Sequence, residues 1–510
     1  MSYTIGVDIG GTNTDAVLLD ATQKIVAATK TATTGDITTG FSVALKELLK
    51  TIEPGWIRTL FLGTTHATNA ILQRKDLYKV GVIRLAGQNP ESLPPCLDWP
   101  KDLKETLYVG VETVGGGYEC NGSPISDLCF KELRQAVTVL LQKGAESLAV
   151  IGVFSPQNPQ QELEAARFIA AAFGGDLPIS LSHAIGGVGF IERENSTILN
   201  AALKKVMSTG FKALEGVCHQ LGLDCPLFVT QNNGTIIDLA AALEYPVLTI
   251  SAGPTNSFIG ASRLTGLSDA LIVDIGGTST DIGLVKKGFP RRSLNTSDIG
   301  GVKLNFPMPD VLSIGLGGGS LIDLDKIGPE SVGKEILTRA RCFGGDCFTF
   351  TDAAVCYGAS IPGALAERTG CSAENALKIL KIAVDRIEGE IACLEGQQDL
   401  PVLLVGGGAQ LIPKELLEKR YFIPEYANIA NAYGAALAEI SGVIDQIVSL
   451  NQREIVLEKL QQEALKAAIQ RGADPENVQI VDLHIIPYHY VPNQMARVIV
   501  TAAGAQQKKN

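Results

Sequence analysis

One short phrase occurs twice in the chain, and it constrains the fold more than any other feature. Near the start Ile5-Gly6-Val7 runs into Asp8-Ile9-Gly10-Gly11-Thr12-Asn13-Thr14-Asp15, and past the middle Ile272-Val273 runs into Asp274-Ile275-Gly276-Gly277-Thr278-Ser279-Thr280-Asp281. Each copy continues into a second apolar run, Ala16-Val17-Leu18-Leu19 or Ile282-Gly283-Leu284-Val285, so each reads as a β-hairpin turned by glycines.

Paired glycines let the backbone turn its N–H groups toward an anion with no side chain in the way. Thr12, Thr14, Thr278 and Thr280 add hydroxyl donors, and the carboxylates of Asp8 and Asp274, two residues ahead of the glycines, are placed to hold a hydrated magnesium ion. Walker and dinucleotide loops lead from strand to helix, whereas these glycines join strand to strand. An ordinary Gly-Gly hairpin is the plain alternative for one copy, and the near-identical second copy weighs against it.

With 510 residues the chain exceeds the size of one core, so two or more domains are expected. A net charge of −11 without a basic stripe argues against nucleic acid as a partner. The N-terminus lacks a basic segment followed by an apolar one, and no apolar run is long enough to span a bilayer, so a soluble, cytoplasmic protein with no membrane partner is expected. Ten cysteines with no Cys-x-x-Cys pair read as reduced thiols.

The remaining pattern is α/β. A helix is expected over 41–52, then a strand over 60–62 and a loop, Gly63-Thr64-Thr65-His66-Ala67-Thr68-Asn69-Ala70, opening a helix whose N-terminus favours anions. Simple N-capping by Thr64 or Thr65 is the alternative there. From about 80 to 182 the chain changes character: a strand over 80–84, a proline-bearing loop around 90–100, the turn Gly115-Gly116-Gly117, a helix over 128–142 and a strand over 148–154. This reads as material inserted into the first lobe. The polar run Glu192-Arg193-Glu194-Asn195-Ser196-Thr197 then enters a helix, where it either binds substrate or solvates the helix start.

The second half repeats the logic of the first from about Leu227 onward, with Ser251-Ala252-Gly253-Pro254-Thr255 opening a helix before the second hairpin. A long helix over 373–394 precedes a strand that ends in Gly406-Gly407-Gly408-Ala409, a turn on which an adenosine could lie or a simple β–α connection. Expected boundaries are 1–185 for the first lobe with its insert, 186–445 for the second lobe, and 446–510 for a helix-strand segment packed on the core.

Two Asp-x-Gly-Gly-Thr hairpins, a later Gly-Gly-Gly turn and the helical Asn431-Ala432-Tyr433-Gly434-Ala435-Ala436 resemble the actin, sugar kinase and heat-shock-protein ATPase superfamily. The finer resemblance is to the hydantoinase/oxoprolinase A-subunit family. It rests on the Gly63–Ala70 phrase, Arg193-Glu194-Asn195-x-Thr197 with Asn200-Ala201, Ser251-Ala252-Gly253-Pro254, Ser313-Ile314-Gly315-x-Gly317-Gly318-Gly319-Ser320 and Thr349-Phe350-Thr351-Asp352-Ala353, which together cover nearly the whole chain.

That resemblance implies an α/β fold of two ribonuclease-H-like lobes, the actin-like ATPase fold, with ATP and Mg2+ in the cleft and an α/β subdomain inserted in the first lobe. It implies ATP-dependent opening of cyclic amides such as hydantoins or 5-oxoproline, with a separate B-type subunit completing hydrolysis in an oligomer; related members carboxylate ketones. Carried onto this sequence, Asp8 and Asp274 would organise magnesium and serve catalysis. Gly10, Gly11, Thr12 and Thr14 would hold the phosphates from one side, Gly276, Gly277, Thr278 and Thr280 from the other, and Gly406, Gly407 and Gly408 would flank the adenosine. Thr65, His66, Asn69, Arg193 and Glu194 would face the substrate. A small-molecule kinase, or an ATPase that activates a partner enzyme, remains open beside the cyclic-amide reading.

Overall fold

The computed structural model describes residues 2–33, 36–87, 93–293, 297–305, 308–324, 326–396, 399–488 and 494–507. Among these residues the first hairpin, Tyr3–Ile9 with Asn13–Leu19, sits in a nine-stranded sheet. The antiparallel strand Ile25–Ala32 flanks it on one side, and Ile57–Thr64 then Leu227–Thr230 run parallel to it on the other. The second hairpin, Ala270–Ile275 with Thr280–Lys286, has the same surroundings: Phe289–Pro290 antiparallel beyond it, Val402–Val405 and Tyr421–Phe422 parallel on the far side. Three antiparallel strands followed by two parallel ones, in the same order twice, make two ribonuclease-H-like lobes.

Each lobe covers its sheet with helices whose apolar faces recur at helical spacing. In the first, Ile5, Val7 and Leu62 share a core with Phe41, Leu45 and Leu48 of the helix Ile37–Leu48, and with Leu199, Leu203, Met207 and Phe211 of the long helix Phe190–Gln220. Asp36 caps the first of these helices by accepting from Thr38 N at 2.9 Å, so it begins four residues before the apolar spacing indicates. In the second lobe Leu271, Val273 and Ile282 pack on Ile379, Leu380, Ala383 and Ile387 of the helix Ala373–Glu395.

The inserted subdomain is an all-parallel sheet in the order Tyr108–Val114, Val80–Leu85, Ser147–Gly152, Ile179–Leu181, connected through the helices Lys101–Leu107, Phe130–Gln142 and Gln160–Phe173. The proline-bearing loop expected around 90–100 lies partly outside the described residues, at 88–92.

The sheets do not divide where the expected boundaries put them. Leu227–Thr230 and Thr235–Asp238, placed in the second half by sequence, belong to the first lobe's sheet, as do Glu439–Ser449, Gln479–Pro487 and Met495–Gly504. The 446–510 segment therefore extends that sheet, with its helix Arg453–Gln470 packed over Ile440, Val498 and Val500. Apolar alternation marks a strand but not the strand it will pair with.

The chain passes from the first sheet to the second through the helix Ala252–Thr265 and returns through Ala430–Ala436. These two helices touch backbone to backbone: a Cβ on Gly260 would overlap Ala430 O, and one on Gly434 would overlap Asn256 O. No helix among the described residues is long and apolar enough to cross a membrane.

Candidate active site between the two hairpins

Both glycine turns close in the same way, Gly10 N donating to Asn13 O and Gly276 N to Ser279 O, each at 2.9 Å. They face each other across the lobes so closely that a Cβ on Gly277 would lie 3.3 Å from Thr12 Cγ2. The second turn is backed by the Gly317-Gly318-Gly319 run, with Gly318 N donating to Gly276 O at 3.0 Å and Gly319 N to Gly277 O at 2.7 Å. Only residues without a Cβ let that backbone lie so close, since one on Gly317 would come within 2.7 Å of Thr278 N. The third glycine turn joins the same place: Gly408 N donates to Ile275 O at 2.8 Å, and a Cβ on Gly406 would overlap Asp274 Oδ1.

Antiparallel register puts Asp8 opposite Asp15 and Asp274 opposite Asp281, so each hairpin presents a carboxylate pair on one face. Asp8 Oδ2 accepts from Asn431 Nδ2 at 2.9 Å and Oδ1 from Asn256 Nδ2 at 3.4 Å; the same Asn431 nitrogen donates to Asp15 Oδ2 at 3.0 Å. Lys30 Nζ is 2.7 Å from Asp15 Oδ1. Burial, and then the neighbouring Asp15, push the Asp8 carboxyl up to about 6 against the pull of the two asparagines. Burial raises Asp15 and Asp274 as well, with Lys30 drawing each back down. Asp281, which accepts from Ser313 Oγ, is pushed up to about 7 by burial first and by Asp274 in addition.

Raised carboxyl pKa values have a sign that stability measurements read directly. Between the unfolded value of 3.8 and about 7 the folded protein holds a proton on Asp281 that the unfolded chain has lost, so this group's contribution to stability declines as pH rises through that window. Asp281→Asn is expected to melt several degrees above the wild type at pH 8 and to match it near pH 4. Thermal melts across pH 4–8 check this, and equal melting shifts at both ends would refute it.

Two helix N-termini meet beside the first turn. Thr65 N donates to Ile9 O at 3.1 Å, Asn69 Nδ2 to Thr65 Oγ1 at 3.1 Å, and Ser251 N to Thr68 Oγ1 at 3.1 Å. Gly63, at the end of the strand, must be glycine because a Cβ there would overlap Asp8 Oδ1. Surface cavities of about 470 and 650 Å³ lie elsewhere, one lined by Leu49–Pro54 and Trp56 and the other beside Lys204.

Residues 4–173 match the hydantoinase/oxoprolinase N-terminal region, and residues 193–371 match hydantoinase/oxoprolinase. The chain belongs to the hydantoinase/oxoprolinase family. It is 26% identical to the caprolactamase subunit alpha of Pseudomonas jessenii, over 92% of this chain and 75% of that one. Identity to the acetophenone carboxylase gamma subunit of Aromatoleum aromaticum is 25%, over 70% of this chain and 53% of that subunit. The fold superposes on the crystal structure of the ATP-dependent caprolactamase from Pseudomonas jessenii with a TM-score of 0.78 at 21% identity, covering 99% of this chain and 88% of that one. For nucleotide-free acetone carboxylase the TM-score is 0.71 at 18% identity, over 98% and 87%.

In this hydantoinase/oxoprolinase chain the expected site residues separate into two groups. Asp8, Gly10, Gly11, Thr12, Asp274, Gly276, Gly277, Thr278, the Gly406–Gly408 turn, Thr65 and Asn69 lie on the turns and helix starts that meet between the hairpins. The hydroxyls of Thr14 and Thr280 are instead turned into the protein: Thr14 Oγ1 bonds Thr33 Oγ1 at 3.0 Å, and Thr280 Oγ1 donates to Leu316 O at 2.5 Å. Both side chains are fully buried, because alternation along a strand sends every second residue inward.

His66 packs its ring against Gly210 of the long helix, and burial lowers its pKa. Arg193 and Glu194 are likewise absorbed by packing. Arg193, with no exposed surface, donates to the carbonyls of Gly152, Gly187 and Val188 and to Ser182 Oγ. Glu194 takes Arg84 as a two-pronged partner, both bonds at 2.7 Å. These contacts weld the long helix to the inserted sheet; a polar run whose sequence suggests a face toward solvent or substrate is a buried joint.

Asp15, Lys30, Asn256, Asp281 and Asn431 complete the site, and sequence reasoning misses the role of each. For Asp15 and Asp281 a signal is present, since each closes its copy of the repeated phrase. Asn256, Lys30 and Asn431 come from distant strands and helices; Asn431 opens a phrase that carries the superfamily resemblance, but nothing local to any of the three shows that it meets Asp8 or Asp15.

Proposed function

We propose that this chain binds ATP between the two hairpins and transfers its terminal phosphoryl group to the carbonyl oxygen of a cyclic amide, which activates the ring for opening. The observation that carries the reading is the contact of two identically built glycine turns, each backed by a carboxylate pair and joined by a third glycine turn. Backbone N–H groups of Gly11 and Thr12 in one turn and of Gly277 and Thr278 in the other are the groups placed to cradle a polyphosphate.

A divalent cation fits the chemistry of the donors. They are all oxygen and carry excess negative charge, and burial and mutual repulsion raise their pKa values, which a cation between them would offset. Magnesium keeps several waters and binds through one or two carboxylates and substrate phosphates, which is what a single carboxylate from each hairpin can offer. Asp8 and Asp274 would hold it, and it would supply neutralisation of phosphate charge. The chain's own part is positioning: Asn431 and Asn256 orient Asp8, and Thr65 with Asn69 fixes the helix start beside the first turn.

Amide resonance makes a lactam carbon a poor electrophile and its nitrogen a poor leaving group. When the amide oxygen attacks the terminal phosphorus, the bond to the ADP oxygen breaks and the ring carbon becomes an O-phosphorylated imidate. Water then adds to that carbon, the nitrogen takes a proton and leaves as the C–N bond opens, and a second water hydrolyses the resulting acyl phosphate to a carboxylate and free phosphate. The named caprolactamase relative supports this substrate class, and the subunit names of the relatives support a second protein completing the reaction. The acetophenone carboxylase relative supports a second reading, in which the oxygen phosphorylated belongs to a ketone.

The test is ATP consumption over a panel of hydantoins, 5-oxoproline, caprolactam, acetone and acetophenone, with and without proteins co-purified from the native extract. Lactam-dependent release of phosphate with a ring-opened product is the expected result. A stable phosphoester would make the chain a small-molecule kinase instead. Hydrolysis that answers to a protein and to no small molecule would make it an activator.

A further inference from the structure

Lys30 lies on Ile25–Ala32, directly opposite Asp15 in the antiparallel register, and its ammonium caps that carboxylate at 2.7 Å to Oδ1 and 2.9 Å to Oδ2. The same ammonium reaches across to the other lobe, where a Cβ on Gly407 would stand only 3.8 Å from Nζ. Asp274 of the second hairpin also feels its charge. Among the described residues Lys30 is the one basic side chain ion-paired with any of the four hairpin aspartates. With 31% of its side chain exposed, it is not locked in place as Arg84 and Arg193 are.

A polyphosphate entering this space adds several negative charges to a place that already holds four carboxylates. Even beside a divalent cation the like-charge repulsion is large at short range unless a further cation moves with it. Lysine is suited to moving in this way, because a point charge on a flexible four-carbon stem can exchange one anion for another by rotating its outer bonds. Gly407 leaves room for the movement, and Asp15 would not be stranded, because Asn431 Nδ2 continues to donate to it at 3.0 Å.

Resting on the nucleotide reading above, we propose that Lys30 is a phosphate ligand of this site, exchanging Asp15 for the phosphate oxygens of the bound nucleotide and so binding a first-lobe strand to the anion held between the lobes.

Calorimetric titration of ATP, ADP and adenosine, with magnesium, into wild type, Lys30→Met, Lys30→Arg and the double variant Lys30→Met/Asp15→Asn tests it. Lys30→Met is expected to weaken ATP and ADP by about tenfold or more, the scale of one charge-assisted hydrogen bond, and to leave adenosine unchanged. Lys30→Arg should recover most of the loss. The double variant removes both charges of the pair, so it keeps the local charge balance and the fold, yet should remain weak for ATP. Independently of turnover, reductive methylation of Lys30, read by peptide mass spectrometry, should slow when ATP and magnesium are present. An unchanged ratio of ATP to adenosine affinity in both Met variants, with methylation indifferent to nucleotide, would overturn the proposal and leave Lys30 as a partner of Asp15 alone. Failure of the underlying reading shows separately, as a wild-type protein that binds no ATP.

Discussion

Asp274→Asn is expected to fold as the wild type does and to lose ATP turnover by about a thousandfold, the scale at which single electrostatic groups act in phosphoryl transfer. The fold should survive because ionised Asp274 is disfavoured where it lies: burial raises its pKa, with Asp15 adding to the effect, and an amide of the same shape removes that burden. Asp8→Asn should behave alike, and in addition should melt higher at neutral pH, since the Asp8 carboxyl is pushed up to about 6. The distinguishing measurement is magnesium dependence. In both variants the magnesium concentration needed for half-maximal nucleotide binding should rise, whereas a purely structural role would shift only the melting curve. A wild-type rate in Asp274→Asn would remove that residue from the chemistry.

Glu194→Gln is expected to do the opposite, costing about 3–5 kcal/mol of stability with ATP affinity retained in the folded fraction. Its carboxylate and Arg84 are almost wholly buried, at 1% and 3% exposure, and Arg84 is also stacked over Phe190 at 5.4 Å. Neutralising Glu194 removes the countercharge that two bonds hold at the fork of an interior guanidinium. Replacing both partners, Arg84→Met with Glu194→Leu, should recover much of the loss, because a buried ion pair recovers little more than its own desolvation. Denaturant unfolding of the single and double variants gives the coupling directly. Should Glu194→Gln keep its stability and lose substrate-dependent turnover, the residue would return to the substrate side of the site.

These two outcomes bear on how the site could be read from residues. The glycine turns were legible because their function is carried by consecutive residues: Asp, two glycines and threonine act through backbone groups within one turn, so spacing alone states the chemistry. The same logic reached Asp15 and Asp281 only in part, since their role depends on register across the hairpin. It misled at Thr14 and Thr280, where strand alternation turns the hydroxyl inward, and at Arg193 and Glu194, where a helix start that looks polar is clamped against Arg84, Gly152 and Ser182 of the inserted subdomain.

By itself the sequence determined the paired hairpins, the α/β class and the family, because each rests on short-range order: glycine permits a turn, and apolar alternation permits a strand. Only the tertiary structure decided that strands from 227–238 and 439–504 complete the first sheet, that Asn256 and Asn431 hold Asp8, and that Lys30 reaches toward the opposite lobe. Those facts depend on which distant surfaces bury each other. Burial is non-directional, and local periodicity carries no record of the partner it will meet.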